Sequence, residues 1–169
     1  HGRLLDCFSY NGGFALRLAR ECTEAEAIDI SSEAVARISA NAARNGLSHL
    51  SAREANVFDE LRHREKQGAR YDTIVLDPPA FAKNKASVPN AMAGYKEINL
   101  RAMKLLAPGG HLITCSCSAR VTSEAFGEIL AAAAGQAGRV VQVLERRGAA
   151  ADHPGLLGVP ATEYLKCWV

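Results

Sequence analysis

Asp77-Pro78-Pro79, followed closely by Phe81, is the segment of this chain best suited to chemistry. It comes straight after Ile74-Val75-Leu76, an apolar run that reads as the end of a fully buried strand. Two prolines cannot continue a hydrogen-bonded ladder, so the turn is stiff. It presents the Asp77 carboxylate and the proline carbonyls at the carboxyl end of a strand, where open α/β sheets bind ligands. An acid, two carbonyl acceptors and an aromatic ring close behind suit the holding of a planar base. A strand that needs only a rigid stop gives the same residues a purely structural role.

A second reactive segment is Thr114-Cys115-Ser116-Cys117-Ser118. Strand alternation puts Cys115 and Cys117 on one side and Ser116 on the other. Cys115 reads as a small buried hydrophobe. Cys117 lies past the expected strand end, next to Asp77, and reads as a nucleophile. The C5 carbon of a pyrimidine attacks a methyl sulfonium poorly. A thiolate added at C6 turns the C5–C6 bond into an enamine-like carbon nucleophile, which splits one hard step into easier ones. Methylation of an amino group or a ring nitrogen needs no such thiol, so Cys117 separates the two chemistries.

A nucleotide-sized ligand is suggested by polar residues ending the other strands. Gly12-Gly13 follows the first strand and opens a helix, which lets backbone approach a ligand and favours an anion there. The spacing is not Gly-x-Gly-x-x-Gly, and such a pair at a helix start is by itself more often a plain tight turn. Asp29 ends the second strand about 20 residues further on, where a carboxylate accepts hydrogen bonds from ribose hydroxyls. Its structural alternative, capping the next helix, can be filled by Ser31 or Ser32. Asn56 follows the third strand and could read an adenine edge or cap the helix starting near Val57. Asp6, Asp29, Asn56 and Asp77 thus end four strands and describe a cleft for an adenosine-containing ligand.

The elements that must position these residues alternate strand and helix. Strands are expected at Leu4–Cys7, Ala25–Ile30, His49–Ala55, Tyr71–Leu76, His111–Ser116, Arg139–Glu145 and Glu163–Val169, the last two pairing antiparallel. The first helix buries Phe14, Ala15, Leu18 and Ala19, and the second Val35, Ile38 and Ala42 before Asn45-Gly46 closes it. Further helices are expected from about Val57 to Gln67, Asn90 to Leu106 and Thr122 to Gly135. The polar stretch Lys83–Pro89 reads as a loop, and Ala107-Pro108-Gly109-Gly110 as a strong helix stop. Such alternation means an α/β fold: a doubly wound, mostly parallel seven-stranded sheet, Rossmann-like, over residues 1–169 as one domain.

A net charge of +2 imposes no strong basic field. Lys83, Lys85, Lys96, Arg101 and Lys104 form a basic set near the Asp-Pro-Pro turn, where phosphates of a bound strand could pass. Arg62, Arg64, Lys66 and Arg70 read as simple surface, and His49, His63 and His111 form no constellation. His153, in an Asp-His-Pro loop, could fold back over the site. No apolar run is long enough to cross a bilayer. The five cysteines lack zinc-like spacing and are odd in number. Neither a disulfide framework nor a metal is expected, and the compartment is a reducing cytoplasm. With no starting Met before the strand-like Leu4-Leu5-Asp6-Cys7, the chain reads as the catalytic part of a longer protein.

Several segments together resemble the catalytic domain of the S-adenosylmethionine (SAM)-dependent 23S ribosomal RNA large-subunit methyltransferases that make 5-methylcytosine. In that family the domain follows an N-terminal PUA domain. The matching stretches are residues 6–15, 29–34, 54–59, 76–83, 94–100, 114–118, 152–154 and 163–166. Asn11 stands where that family carries Thr. The resemblance implies that Ser9, Tyr10, Gly12 and Gly13 cradle the methionine part of SAM, Asp29 holds the ribose and Asn56 meets the adenine. Asp77 would lie between methionine and target base, and Cys117 would be the attacking thiol. Pro78, Pro79, Phe81, Lys83, Lys96 and His153 complete the expected substrate side. The expected partner is ribosomal RNA, with no membrane and no metal, and a homodimer is left open. The alternatives are a guanine-N7 or base amino-group methyltransferase of the same fold, or a non-catalytic RNA-binding module that keeps it.

Overall fold

The computed structural model describes residues 2–82, 84–159 and 162–169. Its strands are β1 (Arg3–Cys7), β2 (Glu24–Asp29), β3 (Leu50–Glu54), β4 (Tyr71–Leu76), β5 (Leu106–Ser116), β6 (Arg146–Arg147) and β7 (Lys166–Trp168). Among the described residues they form one seven-stranded sheet in the order β3-β2-β1-β4-β5-β7-β6. The first five run parallel, and β7 lies antiparallel between β5 and β6. Helices α1 (Gly13–Leu18), α2 (Ser32–Arg44), α3 (Val57–Lys66), α4 (Val88–Leu105) and α5 (Ser123–Ala137) supply the crossovers.

Alternation along the strands feeds two cores. Leu4 of β1 and Val75 of β4 join Ala15, Ala19, Ile38 and Ala42 on one face. Leu5, Ile74 and Leu76 join Leu61, Ile98 and Phe126 on the other. Each fully buried aliphatic side chain stabilises the fold by about 1.5–3 kcal/mol, and both faces of the parallel sheet are covered, as such sheets require. Side chains set the helix starts. Ser31 Oγ accepts from the Ala34 amide at 3.3 Å, and Thr122 Oγ1 from the Ala125 amide at 3.2 Å.

Four local expectations need correction. Strand six is Arg146–Arg147 rather than Arg139–Glu145: it pairs with β7 with Arg146 opposite Trp168, and Leu144 and Glu145 extend that contact only through backbone bonds to Val169. Within Lys83–Pro89, Lys85–Ser87 forms a 3-10 turn and α4 already begins at Val88, with a proline in its first turn. Phe14, expected on a buried helix face, is 37% exposed. Arg64 is not surface: its side chain is 9% exposed. Its guanidinium donates to Glu26 Oε2 at 2.8 Å and to the Tyr71 hydroxyl, and it pairs with Glu60 at 3.2 Å. Sequence periodicity missed it because α3 is charged throughout, and a buried cation looks like any other until its partners converge.

This cluster joins β2, α3 and β4, so losing the cation strips Glu26 of its partner and leaves Glu60 with Arg53 alone, 3.3 Å away. Arg64→Ala should lower stability by about 3–5 kcal/mol, read as a reduced denaturation midpoint in urea.

Candidate active site

The strand order reverses between β1 and β4, and there the carboxyl ends of the strands open a cleft of about 680 Å³. Phe8 and Tyr10 after β1, Asp29 and Ile30 at the end of β2, and Asn56 before α3 line one side. Asp77, Pro78 and Pro79 after β4, Cys117 after β5, and Tyr164 with Leu165 before β7 line the other. Sequence reasoning included Tyr164 and Leu165 in the matching stretch 163–166 but gave neither a role in the site. Their strand joins the sheet through a late antiparallel pairing, which no local spacing announces.

The turn after β1 is built around two carboxylates. Phe8 and Tyr10 adopt φ of 62° and 51°, left-handed values that cost on the order of 1–3 kcal/mol for side-chain-bearing residues. Specific bonds hold them there. The Ser9 amide donates to the Ile28 carbonyl at 3.0 Å, Ser9 Oγ to Asp6 Oδ2 at 2.6 Å, and the Tyr10 amide to Asp29 Oδ2 at 2.9 Å. Gly12, at φ 82°, closes the turn with its amide on the Ser9 carbonyl at 2.8 Å and starts α1. Gly13 follows, and a Cβ built there would meet nothing within 4 Å. Ser9 is thus a buried strut, while Gly12 and Gly13 contribute backbone.

Asp29 also accepts the Ser31 amide on Oδ1 at 3.0 Å, so both its oxygens are fixed and each keeps a lone pair. Ser31 caps α2, which leaves Asp29 outside that role. Asn56 does cap α3: Oδ1 accepts the Phe58 and Asp59 amides at 2.9 and 3.4 Å. Its Nδ2 has no hydrogen-bond partner among the described residues.

The reactive side is held by contacts between two loops. Cys117 Sγ donates to the Pro78 carbonyl at 3.6 Å. Ser118, fully buried, accepts the Ala82 amide on Oγ at 3.2 Å and lies 2.9 Å from the Tyr95 hydroxyl. Phe81 is not on the cleft wall. It packs between Phe8, Phe58 and Tyr95, with centroids 6.3, 5.9 and 4.7 Å away, and props the Asp-Pro-Pro turn from behind. Gly94 makes room, since a Cβ there would lie 3.3 Å from Phe81 Cδ2.

Burial pushes the Asp77 carboxyl up. Burial and then the Asp77 charge push the Cys117 thiol up, while the Lys166 ammonium pulls it down. Cys115 differs: it is buried, and its thiol is pushed up by its hydrogen bond to Cys167 and by burial.

The remaining expected residues lie elsewhere. Lys96 sits half-buried on α4 and does not line the cleft. Arg101 and Lys104 are engaged with Glu65 and Glu97. His153 is exposed, pairs with Asp152 at 3.3 Å and borders a separate cavity beside Arg120 and Arg147. Lys83 lies outside the described residues. Among the described residues no cluster could hold a metal ion, and no helix is long and apolar enough to cross a membrane.

Residues 1–148 match the family model described as a methyltransferase domain. The chain belongs to that family. This methyltransferase domain is 46% identical over 167 residues to the ribosomal RNA large subunit methyltransferase I of Tolumonas auensis, and 44% to that of Klebsiella pneumoniae. These alignments cover 97% of the chain but 42% of either relative. Among solved structures, a Streptococcus mutans protein assigned as a SAM-dependent methyltransferase superposes at a TM-score of 0.85. It is 20% identical, over 98% of this chain and 43% of that one.

The domain's own charges define the ligand it accepts. Asp6 is 1% exposed, Oδ1 has no partner among the described residues, and burial with the nearby Asp77 and Asp29 charges raises its carboxyl to about 7. Two carboxylates on the cleft wall, Asp29 and Asp77, with buried Asp6 close enough to feel both, fit a ligand carrying positive charge, and SAM carries both a sulfonium and an ammonium. Because the folded value lies above the ordinary 3.8, the Asp6 contribution to stability is complete below about pH 4 and is lost as pH rises through 7. The ligand-free domain should therefore lose stability between pH 4 and 7. Asp6→Asn should flatten that slope in denaturation midpoints followed across the range.

Proposed function

We propose that this domain transfers a methyl group from SAM to C5 of a cytosine in large-subunit (23S) ribosomal RNA, with Cys117 as the nucleophile. The observation that carries the reading is the seat of the Cys117 thiol: on the Pro78 carbonyl, beside Asp77, at the mouth of the cleft. Bound SAM supplies an electrophilic methyl on sulfur. The carboxylate end of β2, Asp29, would take the ribose hydroxyls, and the Asn56 amide the adenine edge. The turn Ser9–Gly13, with the unpaired Asp6 Oδ1 beneath it, would take the methionine part.

On the other side, Asp77 accepts from the base edge and orients it. Cys117 gives up its proton to solvent and adds to C6, which makes C5 the nucleophile. C5 takes the methyl as the sulfonium carbon–sulfur bond breaks, and loss of the C5 proton to solvent then breaks the C6–sulfur bond and returns the thiolate. Holding methyl and C5 in line is the main contribution of the rigid Asp-Pro-Pro turn, worth up to about 7–11 kcal/mol for well-oriented groups. Methylation of a base amino group would use the Pro78 carbonyl to orient the amine. Here the Cys117 thiol already donates to that carbonyl, which retains its second lone pair, so it is the thiol beside the base site that favours carbon methylation.

The ribosomal substrate is supported by the names of the relatives, which are more than twice as long as this chain. That extra length leaves room for a separate RNA-binding domain such as a PUA domain. Lys96, with no ion-pair partner among the described residues, is available to a phosphate. The five cysteines are all free, in keeping with a reducing cytoplasm.

Nucleoside mass spectrometry of ribosomal RNA from cells with and without the gene should show loss of one 5-methylcytidine. Loss of 7-methylguanosine or of an N-methylated base would contradict the carbon chemistry. Cys117→Ala should retain SAM affinity within about twofold while turnover falls by 10³ or more, the range typical of a lost nucleophile. Full turnover in that variant would remove the thiol from the reaction.

A further inference from the structure

Lys166 is 6% exposed. Lysines are almost never buried to this degree unless an acid pairs with them. Among the described residues no carboxylate lies within ion-pair distance of it. Its Nζ donates instead to two backbone carbonyls, Ser118 at 2.8 Å and Tyr164 at 2.7 Å. Both belong to segments that build the cleft: Ser118 follows Cys117, and Tyr164 lines the same side of it from the segment before β7. Lys166 also stands directly opposite Ser116 in the β5–β7 ladder, so its position is fixed by strand register.

A neutral donor could satisfy two carbonyls without desolvating a charge, so hydrogen bonding alone does not account for a lysine here. The ammonium has no carboxylate counter-ion among the described residues, so a thiolate formed nearby would be its natural partner. Cys117 is a titratable group that feels the ammonium; burial pulls the Lys166 ammonium down, and the thiol's charge offsets part of that. The other charges facing Cys117 oppose its ionisation: Asp77 after β4 acts directly on it, and Cys115 on β5 is repelled by it.

We infer that Lys166 is a positioning residue whose fixed ammonium stabilises the Cys117 thiolate while its two carbonyl bonds lock the Cys117 turn to the Tyr164 wall. The inference rests on the reading of Cys117 as the nucleophile. It adds a counter-charge carried by the last strand and fixed on the carbonyl of Ser118, the residue after the thiol. That charge offsets the repulsion from Asp77, an acid the site keeps for the base.

The test is the rate of Cys117 alkylation by iodoacetamide against pH in the full chain without SAM, located by tandem mass spectrometry. Lys166→Met, which keeps the side-chain volume, should raise the pH midpoint by about one unit or more, the effect of losing a nearby opposite charge. Lys166→Arg should return it most of the way, and SAM binding by calorimetry verifies that each variant is folded. If Lys166→Met does not bind SAM, Lys166→Gln, neutral but still a donor, replaces it with the same expected shift. Coincident midpoints in the neutral variant and the unaltered chain would overturn the inference. Failure of the Cys117 reading looks different: the midpoint would still move with Lys166, but Cys117→Ala would keep its turnover.

Discussion

The parallel ladder between β4 and β5 is the constraint on which the site depends. It brings the Asp-Pro-Pro turn and the Cys117 turn to the same edge, with Leu76 opposite Thr114. Two bonds then cross between the loops: Cys117 Sγ to the Pro78 carbonyl, and the Ala82 amide to Ser118 Oγ. Neither loop is regular structure, and either alone would be free to drift. Joined, and propped by the Phe81–Tyr95 stack from behind, they become one rigid wall. The rigidity matters because methyl transfer needs its reacting atoms in line, and a misplacement of about 1 Å can cost 10²-fold in rate.

Charge gives the cleft its second property. Asp6, Asp29 and Asp77 point their fields at the same space, and burial makes two of them reluctant anions. A ligand that brings positive charge relieves that repulsion, whereas a dinucleotide's pyrophosphate would add to it. Asp77 also works against a thiolate at Cys117, so a site that suits a sulfonium is a poor one for the nucleophile proposed there until compensation arrives. Lys166, buried behind the thiol, is the chain's own source of that compensation.

Much of this was legible in the residues. Apolar runs that stop at Asp6, Asp29 and Asp77 announce buried parallel strands ending in acids, and the structure gathers them at one switch point. Cys117 was separable from Cys115 because it falls beyond the strand end, where alternation no longer buries it. What escaped were features fixed by distant pairing. Arg64 looks like one more charge on a charged helix until Glu26 arrives from β2. Phe81 looks like a base-stacking ring, yet three other aromatics claim it. Lys166 and Tyr164 gain their places only when β7 inserts between β5 and β6. His153 sits in a loop that lies over a neighbouring cavity rather than over the cleft.

The central claim is that Cys117 attacks the base, and its most direct test is covalent trapping. An RNA substrate carrying 5-fluorocytidine at the target position accepts the thiol and the methyl but cannot release C5 fluorine as a proton is released. With SAM present, the account predicts a stable protein–RNA adduct whose mass includes one methyl group and which maps to Cys117. Methylation of unmodified RNA together with no adduct on the fluorinated strand would contradict it.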